Sequence, residues 1–295
     1  MKDRELVRNA YRLILGREPE SEAVLDREFE NVYTLRKDFF DSEEYKKKRC
    51  NEVLIKRKDV NLFAMLMSNN LTFLADLYKT DKTGKHFYTS HYMSHFRRYK
   101  NNKINLLEIG VGGYKNPTSG GNSLRMWKKY FPFGKIYGID IYDKSLLQES
   151  RIKIYKGSQV DTAFLEKVTA EIGPLDIIID DGSHINDHII KTFEILFPKL
   201  KNGGIYVVED IQTSYWENFG GDSKNLNNPK TSMNFFKGLT DCLNHQEIID
   251  QNYIETYYDK NIISMQFYHN MVFIYKGENN EKSNIIENHM IKTKK

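Results

Sequence analysis

Leu175-Asp176-Ile177-Ile178-Ile179-Asp180-Asp181-Gly182-Ser183-His184 decides the fold. An apolar run ends abruptly in two carboxylates, a glycine and a histidine. That is the pattern of a buried strand delivering polar groups to the carboxyl edge of a parallel sheet, where open α/β folds place their sites. Gly204-Ile205-Tyr206-Val207-Val208-Glu209-Asp210 repeats the pattern one strand later. Neighbouring strands lie roughly 5 Å apart, so carboxylates at their ends can converge.

Strand and helix patterns alternate around this pair, which predicts an α/β fold with a mostly parallel sheet. Strands are expected at 104–109, 135–140, 152–155, 175–180 and 204–209. Helices are expected from Ser123, over 161–172, from about Ile185 to Leu196, and over roughly 233–249. Ile254 to Tyr258 reads as a further strand. The runs 263–267 and 271–275, joined at His269-Asn270, read as a closing antiparallel hairpin. Residues 1–50 carry apolar positions at helical spacing (Leu6, Val7, Ala10, Tyr11, Leu13, Ile14) and form a separate small helical domain. Gly16 stops that first helix, and Pro19 with Ser21 can start the next. Residues 51–76 continue the helical period as a bridging segment, 77–277 form the α/β domain, and 278–295 read as a solvated tail.

After the first strand comes Leu106-Leu107-Glu108-Ile109-Gly110-Val111-Gly112-Gly113. Glycine there lets a ligand approach the backbone closely. Position 115 is lysine, so the dinucleotide fingerprint fails at its third glycine, and the loop runs on to Gly120-Gly121 before a helix can begin. Asp140 ends the second strand, where a carboxylate can accept from both hydroxyls of a ribose. A nucleoside-bearing cofactor without a buried pyrophosphate satisfies this, S-adenosylmethionine first. A glycine turn of an unrelated α/β fold, with Asp140 as a helix cap, satisfies it as well.

Asp180-Asp181 and Glu209-Asp210 end consecutive strands. Uncompensated, such carboxylates repel one another, and a divalent cation removes that penalty. Oxygen ligands without cysteine point to a hard ion, Mg²⁺ first, with Mn²⁺ or Ca²⁺ also fitting. His184 lies just beyond Asp181. It can face an ion without ligating it and serve as a general base. The same residues also fit helix N-caps and polar strand ends.

These motifs in order, Glu108 to Tyr114, Gly120 to Trp127, Tyr137 to Asp140, Ile179 to Asn186 and Val208 to Asp210, resemble the catalytic domain of the mycinamicin-type sugar O-methyltransferases. The resemblance runs from about Asp81 to Gly221. It implies a Rossmann-like class I methyltransferase, with a mostly parallel seven-stranded sheet and an antiparallel C-terminal hairpin. It implies S-adenosylmethionine bound by Glu108, Gly110, Gly112, Ser123, Asp140, Ser158, Gln159 and Asp181. It implies Mg²⁺ held by Asp181, Glu209 and Asp210, with His184 as base and Asp180 orienting its neighbours. The N-terminal stretch Tyr11 to Pro19 instead resembles a small helical module found beside bacterial glycan-synthesis enzymes. The expected reaction is therefore O-methylation of a sugar hydroxyl in surface polysaccharide biosynthesis, with His86, Tyr88, Tyr215 and Trp216 as candidate platforms for the sugar ring. Macrolide or antibiotic-sugar tailoring, a cephalosporin-hydroxylase-like metalloenzyme and a non-enzymatic scaffold of glycan assembly stand as alternatives.

The totals bound the rest. The chain has 295 residues, 40% hydrophobic and 28% charged, a composition of globular domains. No stretch approaches the roughly 18 apolar residues of a membrane span. The N-terminus is too charged for a secretory signal. Two cysteines, Cys50 and Cys242, form no CxxC pair, which fits a cytoplasmic protein without a disulfide framework. A net charge of +4 gives no argument for nucleic acid. The expected partner is a small-molecule or glycan sugar substrate, and the apolar spacing of 51–76 is compatible with a homo-oligomer.

Overall fold

The structure is a computed structural model and describes residues 3–15, 17–30, 32–45 and 70–291. Cys50, Gly16 and the expected bridging segment as far as residue 69 lie outside the described residues. The chain divides into two compact units, Met1–Leu66 and Met67–Lys295. Among the described residues, no helix is long and apolar enough to cross a membrane.

The described residues of the first unit are largely helical. Helix Arg4–Ala10 continues into a π-helical turn, Tyr11–Leu15. A 3-10 turn spans Glu22–Asp26, and helix Val32–Asp41 follows. Val7, Tyr11, Leu15, Leu25, Leu35 and Phe39 are buried together. Tyr11 meets Phe39 edge-on at 4.9 Å, the arrangement the ring quadrupoles favour. Arg17 clamps Glu44 with two bonds of 2.6 Å and reaches Glu20 at 2.7 Å.

The second unit is built on a seven-stranded sheet: β1 (Asn105–Ile109), β2 (Lys135–Asp140), β3 (Ile152–Lys156), β4 (Leu175–Asp180), β5 (Leu200–Val208), β6 (Ile262–Tyr268) and β7 (Met271–Lys276). Its order is β3-β2-β1-β4-β5-β7-β6. The first five strands are parallel, and β7 runs antiparallel between β5 and β6. Parallel strands are covered on both faces, so their side chains sort by the two-residue period rather than by polarity. Leu106, Ile177, Ile179, Ile205 and Val207 face one core, which also holds Tyr92, Phe96, Trp127 and Phe273. Leu107, Ile109, Ile178, Tyr206 and Val208 face the other, with Leu165, Ile189 and Phe193.

Three sequence expectations fail locally. Ile254 to Tyr258 is no strand: Thr256 caps a short helix, Tyr257–Asn261, in a reciprocal box with Asp259. That capping chemistry outweighs the β-branched and aromatic composition. The expected helix over 233–249 breaks in two. Ser232–Gly238 is α-helical, Asp241–Glu247 is a 3-10 stretch, and Gly238 stands at the break. The tail is also not wholly solvated. Ile286–Glu287 pairs with Met290–Ile291, and Ser283 and Ile286 are buried.

Candidate active site

Register places the site. Ile109 of β1 stands beside Asp180 of β4, and Asp180 beside Val208 of β5. Asp181 N then donates to Ile109 O at 3.0 Å, and Glu209 N to Asp180 O at 2.9 Å. The glycine loop, Asp140, Asp181 and Glu209 thus leave the sheet along one carboxyl edge. Beside the two acidic strand ends, His184 at φ 57° and Asp210 at φ 52° hold left-handed backbone without being glycine. Such conformations cost roughly 1 kcal/mol or more and persist where surrounding structure imposes them, often at functional sites.

The left-handed turn at Asp210 aims it away from Glu209. Glu209 points inward and is 3% exposed. Its Oε1 accepts from Lys82 Nζ at 2.5 Å and from the Tyr92 hydroxyl. Asp210 points outward. It accepts from the Tyr88 hydroxyl and lies 3.8 Å from His184 Nε2 and 3.7 Å from His86 Nδ1. Asp181 serves both sides: Oδ2 takes Lys82 Nζ at 2.7 Å, and Oδ1 lies 3.9 Å from His184 Nε2. Two groups result whose ligand atoms lie within 4.8 Å of one another, Asp181–His184–Asp210 outside and Glu108–Asp181–Glu209 inside.

The charge balance separates them. Burial and the neighbouring Asp181 push Glu209 well above the usual carboxylate range, although Lys82 and Tyr92 oppose this. Burial raises Glu108 too, against the pull of Lys82. Burial also acts to raise Asp210, but the Tyr88 hydroxyl, His184 and His86 outweigh it and hold the group below its ordinary value. For Lys82, burial is outweighed by Asp181, Glu209 and Glu108, which keep the ammonium charged well above its usual range.

The remaining expected residues divide. Gly112 is left-handed at φ 77°, and a Cβ there would meet nothing within 4 Å, so the loop offers open backbone to a ligand. Asp140 accepts from Val111 N at 3.0 Å and from Tyr142 N at 2.8 Å, one bond per oxygen. Each oxygen keeps a lone pair for a further donor. Glu108 instead lies beneath the loop, taking Ser123 Oγ at 2.9 Å and Trp127 Nε1 at 3.1 Å. Gln159 is also turned inward: it donates to Asp180 at 3.2 Å and to Thr192 at 3.0 Å, and accepts from Ser183 N at 2.8 Å. Ser158 Oγ accepts from Val160 N at 3.3 Å and stays half-buried. His188 bonds Ser183 Oγ at 2.9 Å.

Asp180 is buried, and burial is the main cause that lifts its pKa to about 7, with Asp181 adding to it and Gly182 N–H, Gln159 and Tyr206 opposing. An unfolded aspartate titrates near ~4. Between those values the folded chain keeps a proton that the unfolded chain has lost, so this group's contribution is complete below about pH 4 and is lost as pH rises through 7. The slope is up to ~1.4 kcal/mol per pH unit. Asp180→Asn, which mimics the neutral form, is therefore expected to gain on the wild type steadily from pH 4 to 8 in melts with EDTA. A constant difference across that range would refute this assignment.

Of the four aromatic platforms, His86 and Tyr88 stand at the acidic edge, with rings stacked 4.8 Å apart. Tyr88 is buried at 3% exposure, so its hydroxyl supports Asp210 and its ring offers no open face. Tyr215 and Trp216 are exposed beyond Asp210. Their segment is anchored by buried Asn186, which donates to Thr213 O at 3.1 Å and Phe219 O at 2.9 Å and accepts from Ser232 N at 2.7 Å and Ser232 Oγ at 2.9 Å.

Sequence reasoning assigned no role to Lys82 and Tyr92. A signal existed: Tyr88 and Tyr92 share one helical face at i, i+4, just after the lysines at 79, 82 and 85, and a carboxylate-rich edge requires a counter-charge.

A parallel sheet in this order, with an antiparallel final hairpin, a glycine turn after β1 and an acid ending β2, defines the class I methyltransferase fold. No family model matches the chain. Mycinamicin VI 2''-O-methyltransferase of Micromonospora griseorubida is 48% identical over 214 residues, 72% of this chain and 54% of that protein. The 8-demethyl-8-alpha-L-rhamnosyl tetracenomycin-C 2'-O-methyltransferase of Streptomyces olivaceus is 44% identical over 71% of this chain and 55% of its own length. The solved MycE methyltransferase of the mycinamycin biosynthetic pathway, in complex with Mg, SAH and mycinamycin VI, superposes with a TM-score of 0.70 at 47% identity, over 72% of this chain and 55% of that one. Over its matched region the chain is similar to the mycinamicin-type macrolide-sugar O-methyltransferases. It spans just over half the length of these relatives.

Proposed function

We propose that this chain transfers a methyl group from S-adenosylmethionine to a sugar hydroxyl, with Mg²⁺ at the acidic edge. The observation that carries the proposal is the convergence of Asp181 Oδ1, Asp210 Oδ2 and His184 Nε2 at one partly exposed point beside an open glycine loop. The donor set suits a hard divalent ion: carboxylate oxygens without thiolate. Asp181 Oδ1 and Asp210 would hold it. Glu209, whose Oε1 is committed to Lys82 and Tyr92, would add Oε2. Gly112 and Asp140 suit the nucleoside part of the methyl donor, the glycine by its open backbone and the acid by its free lone pairs. Glu108, Ser123 and Gln159 support that wall from behind, and Gly110 presses it against Asp181.

When bound, the cofactor supplies an electrophilic methyl group and the cation favours the deprotonated form of an acceptor hydroxyl. His184 Nε2 takes the hydroxyl proton, and the charge gained by the ring is met by Asp181 and Asp210. Tyr88 fixes Asp210, and Lys82 fixes Asp181, so the ring meets carboxylates already aligned. The named acceptors of the relatives are sugars of antibiotics. They favour the tailoring of a glycosylated small molecule over the surface-polysaccharide sugar expected from the N-terminal stretch.

The test is methyl transfer from labelled S-adenosylmethionine to a panel of antibiotic glycosides, nucleotide sugars and surface glycans. Mg²⁺-dependent labelling of a sugar hydroxyl is expected, falling at least about 100-fold in excess EDTA. Full activity in EDTA would remove the metal from the reading. A calorimetric titration without S-adenosylmethionine binding would remove the methyltransferase itself.

A further inference from the structure

Lys82 is 1% exposed. A lysine that deep is rare unless its charge is matched. Its Nζ lies 2.7 Å from Asp181 Oδ2, 2.5 Å from Glu209 Oε1 and 3.2 Å from Glu108 Oε1. The ammonium therefore fills the inner acidic group, the one in which a free cation would find three buried carboxylates. The outer group differs: Asp181, His184 and Asp210 are 24%, 24% and 19% exposed, so an ion can reach it from solvent. Asp181 belongs to both, with one oxygen in each.

Lys82 is also held from its own chain. Tyr88 N donates to Lys82 O at 3.2 Å, and His86 N to Asp81 O at 3.2 Å. The helix that begins at Tyr88 sends the Tyr88 hydroxyl to Asp210 and the Tyr92 hydroxyl to Glu209. One short segment thus delivers a cation and two hydroxyl donors to the ligand candidates Asp181, Glu209 and Asp210. Withdrawing the ammonium would leave Glu108 and Glu209 buried without a counter-charge, which is strongly unfavourable.

We propose that Lys82 is a permanent inner cation of this edge: it excludes divalent ions from the Glu108–Asp181–Glu209 position and turns Asp181 and Glu209 so that only their outer oxygens meet an exchangeable ion. The inference rests on the divalent-cation reading above. It makes Lys82 a positioning residue, acting through Asp181 and Glu209 and touching neither methyl donor nor acceptor. The site then has two cationic positions sharing Asp181, one covalently tethered and one exchangeable. Because like charges repel across a short, partly desolvated distance, the ammonium also weakens binding of the exchangeable ion, which keeps that ion outside, beside His184.

Mn²⁺ is the probe. Binding to the full chain, followed by electron paramagnetic resonance of the free ion, is expected to show one site in the wild type. Lys82→Met is expected to bind Mn²⁺ at least about tenfold more tightly, or to bind a second ion, while methyl transfer falls at least about 100-fold. Lys82→Arg, which keeps the charge, should hold Mn²⁺ within about threefold of wild type. Unchanged affinity in Lys82→Met, or affinity and turnover falling together, would overturn the proposal. Should Lys82→Met fail to fold, wild-type crystals grown with Mn²⁺ decide. The anomalous peak is expected beside Asp181 Oδ1 and Asp210 with Nζ still on Asp181 Oδ2 and Glu209. A peak in the place of Nζ, with Lys82 displaced, refutes it. No Mn²⁺ bound to the wild type would instead defeat the metal reading, and this inference with it.

Discussion

His184→Asn is expected to lower kcat for methyl transfer by about 10²–10⁴-fold, the range for loss of a positioned general base, while S-adenosylmethionine affinity stays within about twofold. Asparagine is the informative replacement because His184 sits at φ 57°. Alanine there would add backbone strain to the loss of the imidazole, whereas asparagine tolerates left-handed backbone. The melting temperature should therefore hold, and the lost rate can be assigned to the ring. The ring faces Asp181 and Asp210 at 3.9 and 3.8 Å, whereas the open glycine and Asp140 stand at the ends of β1 and β2. Removing the base should consequently leave cofactor titrations nearly unchanged. A variant that keeps more than a tenth of wild-type kcat would show that the proton leaves by another route.

Gly110→Ala is expected to be among the most damaging single methyl groups in the second unit. A Cβ at Gly110 would lie 2.0 Å from Asp181 O and 2.8 Å from Asp181 C, both backbone atoms, and φ is 91°. Flexible side chains cannot absorb that overlap; β1 and β4 must separate where Asp181 N donates to Ile109 O. Overpacking of this kind, added to backbone strain, is expected to cost about 3 kcal/mol or more. The denaturation midpoint reads the cost, and Mn²⁺ affinity should fall with it as Asp181 moves. Gly112→Ala serves as the contrast. Nothing lies within 4 Å of its Cβ, although φ is 77°, so alanine there adds about 1–2 kcal/mol of backbone strain without overlap, and the loss beyond that should appear in cofactor affinity. Equal stability of Gly110→Ala and wild type would contradict the close packing of loop and strand.

The sheet and its acidic edge were legible because parallel strands buried on both faces are continuous apolar runs, and the run 175–180 ends in its polar groups without a break. The hairpin at His269-Asn270 was equally plain, with Asn270 left-handed at φ 64°. The strand expected over 254–258 was not, since a capping box of Thr256 and Asp259 decides that stretch and its apolar content misleads. Glycine was expected at position 110 for the sake of a ligand, yet the space it spares belongs to Asp181. The roles of Glu108, Gln159, Lys82 and Tyr92 depend on pairings across 15 to 127 positions of chain, and spacing along a single sequence, which puts Tyr88 and Tyr92 on one helical face, does not say which carboxylates they meet.

Asn186 has a consequence for acceptor choice. With both of its side-chain atoms engaged at four partners, it fastens the segment from Thr213 to Phe219 to the start of its own helix and to Ser232. The conformational entropy of that segment, about 1–2 kcal/mol per residue, is already lost when the domain folds. An acceptor approaching Tyr215 and Trp216 meets a wall that needs no ordering, so little of its affinity is consumed in arranging the protein. Under the proposed sugar methyl transfer, discrimination between sugars would rest on the shape of two exposed aromatic faces, and a change of acceptor would come from exchanging those side chains on an unaltered backbone.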